Sequence, residues 1–205
     1  MKWAVLTGDI VASSSIEADA LDALLQHIER VSLEAAAWTG HGPNIMTGFA
    51  RRGGDGWQMA INRPDLALRL SLYIRAQLRL LDPQYATRIA AAAGDGEVPE
   101  QPMTDLNSAH GAAFTASGRL LEKLDGHTLM AHADGGAIDA AFRLADYISQ
   151  NWTQAQARSL CLMLPPGAGP RRVAAETLGI SRQAVDQALN GAGYPALIDA
   201  LEAIE

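Results

Sequence analysis

Hydrophobic positions recur along this chain at two periods, and the changes of period mark its elements. Residues 2–8 read as a strand ending in Gly8-Asp9, with Ile10-Val11-Ala12 as its continuation and Ser13-Ser14-Ser15 as a break. From Glu17 to about Trp38, Leu21, Leu24, Leu25, Ile28, Val31 and Leu33 fall mostly at helical spacing, and Thr39-Gly40-His41-Gly42-Pro43 closes that helix. Asn44–Arg52 and Trp57–Asn62 make two strands around Gly53-Gly54-Asp55-Gly56, a hairpin signal because glycine and aspartate accept positive φ. Pro64 opens a second helix, striped by Leu66, Leu70, Tyr73, Ile74, Leu78 and Leu81 and ended by Asp82-Pro83. A strand over Tyr85–Ala93 follows, then the turn Gly94-Asp95-Gly96-Glu97 and a loop to about Ser108. Gly111–Leu124 and Ile138–Ile148 read as helices, with a short strand over Thr128–Ala131 between them.

The order β-α-β-β-α-β-α-β-α predicts an α+β fold: a palm-like, ferredoxin-like sheet with helices packed on it, over residues 1–150. A small all-α domain is expected over 151–205. Trp152–Leu164 reads as a helix capped by Thr153, and Pro165–Pro170 as a linker. Beyond it, Ala175, Gly179, Ser181 and Val185 stand at helix-turn-helix spacing. The alanine lets two helices approach, the glycine supplies the turn, the serine caps the second helix and the valine packs it down. Ser181, Arg182, Gln183 and Asp186 would then begin the face that reads base edges in duplex DNA.

Composition narrows the functions. The chain has 205 residues, 48% of them hydrophobic and 19% charged, enough to bury a core. Its net charge of -7 argues against a surface coated by nucleic acid and leaves room for a local patch. Residues 151–205 hold four arginines against five carboxylates, so one copy of the helix pair should grip phosphates weakly, and a dimer presenting two copies would bind better. The single cysteine, Cys161, rules out an intrachain disulfide framework and fits a reducing cytoplasm. No apolar run approaches the roughly 20 residues of a membrane span, so no membrane partner is expected.

The chemistry concentrates at Arg51-Arg52-Gly53-Gly54-Asp55-Gly56-Trp57. Asp55 sits among three glycines, where a backbone can approach phosphate closely, and Asp9 ends the first strand. Two carboxylates so placed suit a divalent cation held against nucleotide phosphates. Arg51 and Arg52 alternate faces of a strand, so at most one points at such a ligand. Of five histidines, His110 stands nearest a site, at a helix start; His41, His127 and His132 have no ligand spacing.

Three stretches together resemble the class III adenylate/guanylate cyclase homology domain and the SatD-like proteins, over roughly residues 2–132. They are Asp9-Ile10, Gly54-Asp55, and Gly94-Asp95-Gly96-Glu97 followed by the helix Gly111–Leu120. The resemblance implies Mg2+ or Mn2+ held by Asp9, Asp55 and the Ile10 carbonyl. Arg51, Gly53, Gly54 and Gly56 would lie at the nucleotide, Arg119 would stabilise transition-state phosphate charge, and each site would be built across a homodimer. Thr115 stands where cyclases carry the asparagine that orients the ribose, which argues against cyclization. The leading expectation is a cytoplasmic regulator that binds a nucleotide or other phosphorylated small molecule, with its helix-turn-helix on DNA or a partner. The rival is an active metal-dependent cyclase producing a cyclic nucleotide from ATP or GTP. A third reading keeps the fold and binds neither nucleotide nor DNA.

Overall fold

The structure, a computed structural model, describes residues 1–38, 45–99 and 106–205. The breaker cluster Thr39–Pro43, with His41, and the middle of the loop before Ser108 lie outside the described residues. Among the described residues there are six strands: β1 (Lys2–Ile10), β2 (Thr47–Arg52), β3 (Gly56–Ile61), β4 (Thr87–Glu97), β5 (His110–Gly111) and β6 (Met130–His132). Eight α-helices accompany them there: α1 (Ala18–Ala36), α2 (Ala67–Leu81), α3 (Ala112–Leu121), α4 (Gly136–Gln150), α5 (Gln154–Met163), α6 (Arg171–Leu178), α7 (Arg182–Gly191) and α8 (Tyr194–Ile204). The fold is α+β, a curled and mainly antiparallel sheet with helices, followed by an all-helical C-terminal region.

β1 is central because its run from Trp3 to Gly8 is buried on both faces. It pairs antiparallel with β3 on one side and β4 on the other, and β2 lies outside β3. The outer edge of β4 takes β6 in parallel at Ile89–Ala91 and β5 antiparallel at Gly96–Glu97. Alternation then separates two cores. Ala4, Leu6 and Ile10 face the larger core with α1 and α2. Trp3 and Val5 face a smaller one with Ala113 and Phe114 of α3.

β4 is longer than the sequence predicts. Gly94-Asp95-Gly96-Glu97, read above as a turn, continues the strand opposite Lys2 and Trp3. Gly96 makes room there for α3. A Cβ on Gly96 would stand 3.0 Å from the Phe114 ring and 3.3 Å from Trp3. The helix over 111–124 is shorter than predicted, ending at Leu121, and Leu33 of the first apolar stripe faces outward, 53% exposed.

α2 is buried all round from Ala67 to Leu78, between the sheet and the C-terminal helices. Its polar residues explain how. Arg69 forks onto Glu205, with Nη2 to Oε2 at 2.8 Å, and donates to the Leu164 carbonyl at 2.7 Å. Arg75 pairs with Asp146 of α4, whose second oxygen accepts the Leu129 N–H at 2.8 Å. The helices after 151 therefore share one apolar core with α2.

Candidate functional site

The site begins with the packing that fixes the end of β1. Trp57 is fully buried under Gly8, and a Cβ on Gly8 would lie 2.5 Å from its ring, so only glycine fits there. The Trp57 indole N–H donates to the Thr87 hydroxyl at 3.0 Å, and that hydroxyl donates to the Asp9 carbonyl at 2.6 Å. Asp9 is thereby set opposite Gly56 on β3 and Arg88 on β4. The Ile10 N–H donates to the Asp55 carbonyl at 3.3 Å, which draws the hairpin tip to the same end of the sheet.

Asp9 and Asp55 line one open cleft of about 320 Å³, together with Ile10, Val11, Ala12, Arg88, Leu124, Asp125, Gly126 and Leu129. Arg88 forks onto Asp9. Its Nε donates to Oδ1 at 2.8 Å, its Nη2 donates to Oδ2, and its Nη1 reaches the Leu124 carbonyl at 2.7 Å. The hydrogen bonds to Asp9 raise the Arg88 pKa above its ordinary value and hold its charge. The Ser13 hydroxyl donates to Oδ2 of Asp55. Three aspartates and one arginine line the cleft, a formal charge of -2. Ala12, on its floor, has φ 54° and ψ 34° and is the one non-glycine residue at positive φ among the described residues. Such a conformation costs on the order of 1–2 kcal/mol, and strain of this kind clusters at ligand sites.

The other residues singled out from the sequence lie elsewhere. Arg51 turns to Asp22 of α1, at 2.6 Å, with both side chains about half exposed. Arg52 turns to the opposite face, where it donates to Gln58 at 2.8 Å and Asn107 at 2.6 Å. Gln58 donates on to the Thr7 hydroxyl at 3.0 Å, which lies 2.8 Å from Ser117, so a polar chain crosses the sheet beneath α3. Gly53 needs its positive φ of 64°, and Gly56 needs its missing side chain, since a Cβ would stand 2.3 Å from the Arg52 carbonyl. Gly54 meets no such restriction. Thr115 and Arg119 are exposed on α3, outside the cleft lining. His110 is exposed, 3.6 Å from Glu97.

Sequence reasoning missed Arg88, Ser13 and Asp125. Arg88 left a signal: it is the one charged residue in the run Thr87–Ala93, and a charge in a central strand calls for a partner. The donor set also bears on a metal. No three His, Cys, Asp or Glu side chains converge among the described residues, and both oxygens of Asp9 are engaged by Arg88. A bare divalent ion would have to displace a guanidinium that stays in the cleft as a like charge. A cation arriving with phosphate would fit better: Asp9 and Asp55 would hold the metal and Arg88 would turn to a phosphate oxygen, a partner its planar fork suits.

The second candidate surface is the α6–α7 pair. Gly179 turns the chain at φ 65°, Ser181 caps α7 by accepting the Ala184 N–H at 3.1 Å, Ala175 is buried, and Val185 is fully so. Asp186 is spanned by Arg171 at 2.8 Å and Arg182 at 3.7 Å, so it clamps the two helices together. Ser181 and Asp186 thus have structural duties, while Arg182, 71% exposed, and the exposed Gln183 are open to a partner.

No family model matches the sequence, and comparison with curated proteins finds no significant relative. No helix among the described residues is long and apolar enough to cross a membrane.

Proposed function

We propose that this chain is a cytoplasmic regulator. Its cyclase-like α+β body binds a nucleotide or similar phosphorylated ligand with Mg2+ or Mn2+ at the Asp9–Asp55 cleft, and its α6–α7 pair contacts duplex DNA. The observation that carries the reading is the meeting of Asp9, Asp55 and Arg88 in one open cleft, from two strand ends and a hairpin tip remote in sequence. Two carboxylates serve the cation and a guanidinium serves the phosphate. The bound metal would offset phosphate charge; the chain's own residues orient the ligand. Turnover is not part of this reading, because Thr115 and Arg119 stand off the cleft within one chain. The cyclase resemblance would bring them in from a second subunit.

Thermal unfolding tests the proposal. Mn2+ with a nucleoside triphosphate should raise the melting temperature by roughly 5–10 °C at a hundredfold excess over the dissociation constant. Mn2+ alone or nucleotide alone should do much less, and Asp55→Asn should abolish most of the rise. No rise with any of the four nucleotides, or an equal rise in Asp55→Asn, would sink the reading.

A further inference from the structure

A second hollow adjoins the cleft, and none of the chemistry above uses it. It measures about 370 Å³ and lies between the turn after β1, the start of α1 and the loop from α2 to β4. Val11 and Ala12 line both spaces, so one turn of chain is their common wall. The Val11 N–H donates to the Ala86 carbonyl at 2.9 Å, which ties that wall to the loop carrying Tyr85. The two sides differ in charge. The cleft holds Arg88, whereas the hollow is lined by no Arg, Lys or His, and its charged groups are Glu17 and Asp82. One oxygen of Asp82 accepts the Gln84 N–H at 2.7 Å and so shapes the loop. Glu17 has no such duty. It is the N-cap of α1, but its carboxylate makes no cap bond, and among the described residues no hydrogen bond or ion pair engages that side chain.

We propose that this hollow holds the base of the nucleotide whose phosphates occupy the Asp9–Asp55 cleft, and that the base is guanine, read by Glu17. The inference rests on the phosphate-binding reading above and adds the other end of the ligand. The distribution of charge carries it. Two carboxylates without a cation repel phosphate, so the anionic end belongs beside Arg88 and the opposite end must bring hydrogen-bond donors. A carboxylate only accepts, and two N–H groups side by side satisfy both of its oxygens at once. Guanine presents that pair on one edge, at N1 and at the N2 amino group. Adenine and cytosine each set an acceptor nitrogen beside the amino group, and uracil sets its one N–H between two carbonyls. Any of these would turn a lone pair toward Glu17. Val11, Ile16 and the half-buried Tyr85 supply the apolar surface that a purine ring buries. Both ends of the ligand are then met within one chain.

Thermal unfolding of the full chain with Mn2+ and GTP, ITP or ATP at equal concentrations tests this. GTP should bind about tenfold or more tighter than ATP, because adenine leaves Glu17 facing a lone pair. ITP keeps the N1 donor, lacks the N2 amino group and should fall between them. Glu17→Gln, at an exposed position, should keep its unliganded melting temperature and reduce the GTP preference by about tenfold, since the amide sets a donor against one of guanine's two. ATP should bind that variant no worse than the wild type, because an amide matches a paired donor and acceptor. Equal affinity for GTP and ATP, or a GTP preference unchanged in Glu17→Gln, overturns the inference and leaves the phosphate site standing. No shift with any of the three overturns both.

Discussion

Arg75–Asp146 and Arg88–Asp9 are the same two side chains placed in different solvents. The first pair lies between α2 and α4, with side chains 5% and 4% exposed. The second lies at the end of the sheet, 35% and 19% exposed. Burial lowers the Arg75 pKa from its ordinary value, because desolvation opposes the charge more than Asp146 supports it. Water reaches Arg88, and its bond to Asp9 is the dominant influence on it. The comparison shows that exposure, more than partner chemistry, separates a clamp from a site. A buried pair cannot trade partners without stranding a charge, whereas an open pair can pass its carboxylate to a metal and its guanidinium to a phosphate.

Breaking each pair from the same side tests this most strongly. Arg75→Ala leaves Asp146 buried without its counter-ion and should cost about 3–5 kcal/mol in urea unfolding. Arg88→Ala loses a solvent-screened pair and should cost about 1 kcal/mol or less. Equal costs for the two variants would erase the distinction.

The next test contrasts the cleft with the helix pair. Arg182→Ala should weaken duplex binding by about 1–3 kcal/mol, read as a shift in dissociation constant at fixed salt, and leave the ligand-induced melting shift intact. Asp55→Asn should do the reverse on the ligand side. If Arg182→Ala leaves duplex affinity unchanged, α7 is not the reading helix.

The two surfaces also differ in how far they could be read from sequence. The helix pair is local: Ala175, Gly179, Ser181 and Val185 do their work within eleven residues, so spacing alone places the turn, the cap and the packing valine. The cleft is assembled from residues 9, 55, 88 and 125. Asp9 and Asp55 were legible because each closes a strand or tops a hairpin. Arg88 was not, because only the pairing of β4 beside β1 sets it opposite Asp9. Gly94 and Gly96 misled for the same reason. Alone they suggest a turn, but both lie in β4, and Gly96 makes room for Trp3 and Phe114. The apolar stripe over 66–81 marked a helix with one buried face. Its polar face is buried too, because partners for Arg69 and Arg75 arrive from Glu205 and Asp146, far along the chain.

A pH titration sharpens the contrast between interior and surface. Burial lowers the pKa of His132, and of His27 to which Arg30 adds a repulsion, below the usual 6.5. Below that pH the unfolded chain takes up protons that the folded chain refuses. Stability is therefore whole above about pH 7 and falls as pH drops through 6.5, until the folded rings themselves protonate. Ring-proton NMR should place the His132 titration midpoint below 6.5. A His132 midpoint at or above 6.5 would refute the burial argument.

The smallest effect concerns Ala12, where interior and surface meet. Its left-handed backbone carries the chain from β1 into the turn that places Ser13 against Asp55. Glycine adopts that conformation without the steric cost, on the order of 1–2 kcal/mol, that alanine bears. It also loses more freedom on folding, which returns about 0.4–1 kcal/mol of the gain. Ala12→Gly should therefore stabilise the protein by a few tenths to about 1 kcal/mol, a rise in melting temperature of a degree or two. The same change loosens the loop that holds Ser13. If the loop is only a connection, the ligand-induced shift will be unaffected. If it positions Asp55 for a metal and phosphate, the variant will be more stable without ligand and gain less from it. A fall in unliganded stability would mean that Ala12 is held by contacts outweighing its strain, and that its conformation belongs to the packing of the sheet end.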